Sequence, residues 1–167
     1  MTVRPARIVR LKTTAALAFC LAVGSGSLGA QGAPPLVERA RSAERVVVGR
    51  VASSQPIWRV TEHGDRLIVT VLRVVAAETL KGAAESTLEV EVEGGTIGDL
   101  TLRVSDLPAL VPGDRAVFYL RRDARGTLVP HGRGEGLLRL DQSNRVPGSS
   151  LTLDEVRRTV RAAAEAR

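Results

Sequence analysis

The chain has 167 residues, a formal net charge of +6, 44% hydrophobic residues and one cysteine, enough for one domain with a real core and too little for two. Its basicity is not a nucleic-acid footprint. Arg4, Arg7, Arg10 and Lys12 lie in the acid-free residues 1–30, leaving 20 of the 24 Lys and Arg against all 18 Asp and Glu, and only Trp58, Phe118 and Tyr119 remain as aromatics for stacking.

Residues 1–30 have the three parts of a secretory signal: a basic start, an apolar run from Ala15 to Val23, and small residues up to Ala30. A spanning helix needs about 20 apolar residues, and this run is shorter. It predicts cleavage near Ala30, export to the periplasm or exterior, and no integral span in the mature chain; an uncleaved anchor is the alternative. Cys20 follows the bulky Phe19, which argues against lipidation. A chain cleaved beyond Cys20 has no disulfide and no cysteine metal site, so packing alone must hold it.

Residues 31–43 read as a lead-in and a short helix, with Pro35 at a tolerated first-turn position and Leu36, Val37, Ala40 and Ala43 on one side. Arg45 to Ser53 is a β-branched strand in which Gly49 marks a bulge or bend. Ser54 to Asp65, with Pro56, Trp58, His63 and Gly64, reads as a loop or irregular hairpin. From Leu67 a long strand is apolar on both faces, which predicts cover on both sides and a bend. It runs into a Leu80-Lys81-Gly82 turn. The next strand sets Leu88, Val90 and Val92 against Glu89, Glu91 and Glu93, the period-two pattern of a sheet with one dry and one wet face. Those acids would repel one another unless arginines such as Arg50 or Arg73 interleave them.

Thr101 to Val104 predicts a short strand, and Arg115 to Arg121 a strand with Ala116, Phe118 and Leu120 on one face and Val117 and Tyr119 on the other. Thr127 to Val129 is a short extension. His131 to Gly136, with glycine at every second position, reads as a flexible loop before a last strand, Leu137 to Leu140. Residues 143–167 hold a linker and a helix opened by the Thr152/Glu155 capping-box spacing, with Leu153, Val156, Val160 and Ala163 at helical intervals. The whole is a mainly β (all-β class) protein: an OB-like five-stranded antiparallel barrel over residues 44–142, flanked by a short N-terminal helix and a C-terminal amphipathic helix.

Val47 to Val51, the Val69 to Val75 strand, the Leu80-Lys81-Gly82 turn and the Leu88 to Val92 strand resemble the netrin-like modules, the OB-type barrels of the tissue inhibitors of metalloproteinases. With the following glycine pair and the Pro-Gly-Asp turn before Arg115, the likeness is closest to exported bacterial proteins of unassigned role, and it covers about residues 44 to 140. The resemblance implies a barrel acting on a protein partner, an exported protease among the candidates. Tissue inhibitors chelate the protease zinc through an N-terminal cysteine, which a mature chain without cysteine does not have, so no inhibitory residue carries over.

No catalytic signature is present. His63 with Asp65 and His131 with Glu135 could offer imidazole and carboxylate groups to a metal or a hydrolytic reaction, but no HxxxH or HExxH spacing puts two imidazoles on one rigid face. No serine sits in a GxSxG elbow. The expectation is therefore a non-enzymatic module without cofactor or metal. On an OB barrel, ligands meet the strand 2–3 face and the loops beside it, which here hold Trp58, Arg59 and His63, and Arg125, His131 and Arg133. Trp58 is either a ligand anchor or a plug for the barrel end. Lys81, the only lysine beyond the signal, reads either as a turn that requires an ammonium or as chance in an arginine-rich chain.

Overall fold

The computed structural model describes residues 35–61 and 63–165; the signal-peptide reading lies outside them. The elements in order are α1 (Leu36–Ser42), β1 (Arg45–Val60), β2 (Arg66–Lys81), β3 (Thr87–Glu93), β4 (Gly95–Ile97), β5 (Leu100–Leu102), β6 (Arg115–Arg122), β7 (Leu128–Pro130), a 3-10 turn (Arg133–Gly136), β8 (Leu137–Leu140) and α2 (Leu153–Glu165). The chain is mainly β, with a six-stranded sheet in the order β1-β2-β3-β7-β6-β8, a separate β4–β5 hairpin and two helices. No helix among the described residues is long and apolar enough to cross a membrane.

β1 runs straight through the segment that the sequence reads as a loop. Residues Ser53 to Val60 pair with Arg73 to Arg66 of β2. Pro56 is tolerated because β6 pairs with β1 only as far as Arg50 and the Gly113–Asp114 turn bonds Val51 just past it; at Pro56 no strand of the described residues pairs on that edge, so a missing N–H breaks no ladder. Gly49 does mark an irregularity: the β1–β2 register shifts between Val48 and Gly49. A Cβ there would come within 2.5 Å of a Val74 methyl and 3.0 Å of the Val75 carbonyl oxygen, so the two strands approach as closely as they do only because Gly49 has no side chain.

Two apolar clusters divide the strand faces between them. One gathers Val47, Val51, Leu72, Val74, Val90 and Phe118 with their neighbours on one face of the sheet. The other sits on the opposite face, where Val46, Val48, Val117, Tyr119 and Leu140 meet Ala40 and Ala43 of α1 with Leu153, Val156, Val160 and Ala163 of α2. Burial of each such valine or leucine stabilises by about 1.5–3 kcal/mol. β6 behaves as its sequence alternation requires, Ala116, Phe118 and Leu120 on one side and Val117 and Tyr119 on the other. The strands covered on both faces are thus β6 and the first half of β1. β2, expected to be covered throughout, leaves Val75 48% exposed and Arg73 in solvent.

Helix α2 starts as its capping box dictates. The Thr152 main-chain N–H donates to the Glu155 carboxylate at 2.7 Å, and the Glu155 N–H donates back to the Thr152 hydroxyl at 3.3 Å. α1 is too short to hold itself. Its C-terminal carbonyls are gathered by Lys81 Nζ, which donates to Ala40, Arg41 and Ala43 at 2.8, 2.9 and 2.5 Å.

One pairing departs from the antiparallel expectation: β3 and β7 are parallel and meet at a single bridge, Val90 to Leu128. His131 to Gly136 is also not a loose loop. Gly132 adopts a left-handed φ of 74°, and a Cβ on Gly134 would overlap the Asp106 carbonyl oxygen. The alternating glycines are the condition for a tightly packed turn.

Candidate binding site

The acids of β3 point away from the first apolar cluster, as their alternation predicts, but they do not simply meet water. Glu91 is only 7% exposed. Arg59, near the end of β1, donates to Glu91 Oε1 through Nε at 2.9 Å and also through Nη2. Arg125, in the turn between β6 and β7, donates to Glu91 Oε2 at 3.0 Å and to Asp123 at 2.8 Å. Arg133 reaches Glu93 at 3.1 Å and Asp106 at 3.4 Å. Arginines interleave the acids, though they come from β1 and two turns; Arg50 instead donates to the Gly113 carbonyl at 2.8 Å.

These groups line a cleft of about 580 Å³ whose apolar side is built from Leu67, Val69, Leu107, Val129 and Pro130, a volume in the range of ligand sites. Arg121 lines it as well. Among the described residues its guanidinium makes one hydrogen bond, a long 3.4 Å contact to the Arg122 carbonyl, and no ion pair. Among the described residues four arginines therefore face three acids, Glu91, Glu93 and Asp123, and Arg121 is the one without an acidic partner.

Burial alone would push the Glu91 carboxyl up; hydrogen bonds and charge from Arg59 and Arg125 outweigh it and hold the group below the ordinary carboxylate value. Asp123 follows the same balance, its burial offset by Arg125 and by the main-chain N–H groups of Thr127 and Arg125. Glu91 is thus a fixed anion joining three pieces of chain rather than a poised acid.

Arg133 has a left-handed backbone, φ 57°, a conformation that costs a non-glycine residue on the order of 1 kcal/mol or more and persists only where the surroundings impose it. The next residue, Gly134, is packed against the Asp106 carbonyl with no room for a side chain. The Arg133 side chain lines both this cleft and a neighbouring hollow formed by Leu102, Arg103 and Asp106.

Arg59, Arg125 and Arg133 share this cleft, and the other sequence candidates lie elsewhere. Trp58 is on β1 opposite Ile68, 37% exposed, with the Arg66 guanidinium 4.6 Å from its ring centre. It is neither on a loop nor a buried plug, because the strand continues through it. His63 sits in the exposed β1–β2 turn. Lys81 is engaged with the α1 carbonyls. His131 lines a separate hollow of about 350 Å³ with Arg39, Ser42 and Glu135. Burial and the charges of Arg121, Arg39 and Lys81 push its imidazole down. Beside it Tyr119, fully buried, has its phenol pushed up to about 12 by burial, against the opposing charge of Arg39. Among the described residues no group of three or more His, Cys, Asp or Glu is arranged to hold a metal ion.

Glu91 as the hub, and with it Arg121 and Asp123, does not stand out in the sequence. The available signal was the acid row itself, which has to be neutralised somewhere. No known family profile matches the chain, and no curated protein does either.

Proposed function

We propose that the chain is an exported, non-enzymatic binding module whose sheet closes into an OB-type barrel and which acts through a protein partner held in the Glu91 cleft. The pairings support closure: β1 bonds β2 along one edge and β6 along the other, and β3, β7 and β6 complete the circuit. In an OB barrel the outer strand 2–3 face is the binding face, and the reading is supported by the β2 and β3 residues that line the cleft, Leu67, Val69, Glu91 and Glu93. The export reading rests on the basic and apolar N-terminal run.

The observation that carries the proposal is the combination of apolar wall and surplus arginine. A cleft closed by its own ion pairs has no use for a fourth guanidinium without an acid, whereas an incoming chain that brings one completes the set. A photo-crosslinking residue placed at Val60, 62% exposed and lining the cleft, should capture a discrete protein in producing cells. The same residue at Val75, outside the cleft, should not. Equal capture at both positions, or none at Val60, would remove the basis for the proposal.

A further inference from the structure

The edge of β3 is open where it borders the cleft. The Gly94 N–H donates to Ile68, and the Ala76 N–H donates to Ser86, so the ladder to β2 uses the main-chain groups of the even-numbered residues of β3. Alternation turns those of Glu91 and Glu93 to the opposite edge. That edge has one partner, the Val90 to Leu128 bridge. The next parallel pair in register would be Val92 with Pro130, and proline has no N–H to give. Pairing ends there. Among the described residues, the Glu91 carbonyl and both main-chain groups of Glu93 have no strand opposite them, and they border the cleft that Val129, Pro130, Arg121 and Arg133 also line.

We infer that the partner enters as an extended segment that adds a strand to this edge of β3, with acidic side chains that pair with Arg121 and its neighbouring arginines. The inference rests on the cleft being the site of protein binding. Strand addition takes affinity from main-chain hydrogen bonds and specificity from alternate side chains. An extended segment puts every second residue on one face. Its wall-facing side chains meet Val69, Val129 and Pro130, and its edge N–H and C=O groups satisfy Glu91 and Glu93. Carboxylates fit because Arg121 already lacks an acid and because a guanidinium binds carboxylate in bidentate geometry. Arg121 is exposed and among the described residues makes no ion pair, so replacing it leaves the ladder intact.

A displayed library of random linear peptides, selected against the purified protein, tests this. The expected winners carry Asp or Glu at alternating positions. They lose at least about tenfold in affinity for Arg121→Glu, the scale of one charge-assisted hydrogen bond. N-methylation of alternate amides in a winning peptide should abolish binding on one set of positions and spare the other. Winners that compete for the cleft but carry no acid, or that tolerate methylation at every amide, overturn strand addition and leave cleft binding standing. A library that yields no peptide sensitive to Arg121→Glu or Arg125→Glu overturns both.

Discussion

Arg125 donates to Glu91 over 3.0 Å and so ties the turn after β6 to the middle of β3, across the β3–β7 junction, whose pairing is the single bridge from Val90 to Leu128. The ion pair reinforces the place where the ladder is weakest. Glu91→Gln keeps the shape and removes the charge. Because Arg59 and Arg125 are 38% and 49% exposed, the loss is screened, and urea unfolding should show a cost of about 1 kcal/mol. Glu91→Leu should cost no more than Glu91→Ala, since the released arginines can turn to solvent.

Stability should fall in two stages as the solution is acidified. His131 has its folded pKa pushed down, so the unfolded chain takes up the proton first. Its contribution is complete above about pH 6.5 and is lost as the pH falls below that value toward the folded pKa. Glu91 and Asp123 are also held below their ordinary values; their contribution is present above about pH 4 and is lost as the pH falls through their folded pKa values. Urea midpoints between pH 8 and pH 3 should show both declines. His131→Gln should flatten the upper one alone.

Lys81 should not be replaceable by arginine. One ammonium directs its donors to the Ala40, Arg41 and Ala43 carbonyls, whereas a planar guanidinium spreads its N–H groups in a fork. Both Lys81→Arg and Lys81→Met should speed amide exchange in α1 and lower stability by about 1–2 kcal/mol.

Gly134→Ala should be among the most damaging small substitutions in the chain. Its Cβ would overlap the Asp106 carbonyl oxygen, and relief requires moving the turn that sets Arg133. A loss of about 2 kcal/mol or more is expected in thermal or urea unfolding. Gly126→Ala meets nothing within 4 Å and bears only its backbone cost at φ 79°, about 1 kcal/mol.

Periodicity carried much of this architecture in the sequence. The alternation at Leu88 to Glu93 and at Ala116 to Leu120 sorts onto opposite faces, and the stripe Leu153, Val156, Val160 and Ala163 is buried as a set. Pro56 and Trp58 hid the second half of β1, because a proline reads as a break unless it is known that one strand edge is open there. The glycines at 132, 134 and 136 read as looseness, because close backbone approach leaves no mark on composition. For the site, three of the four cleft arginines were visible as loop residues. Glu91 was not, since its burial is created by Arg59, 32 positions earlier, and Arg125, 34 positions later.

A protein partner held in the Glu91 cleft has to feel the charge of Arg121. The affinity of the partner captured at Val60, measured for the wild-type protein and for Arg121→Glu with circular dichroism confirming an unchanged fold, decides this. A drop of at least about tenfold is expected. Equal affinity for the two proteins would contradict it.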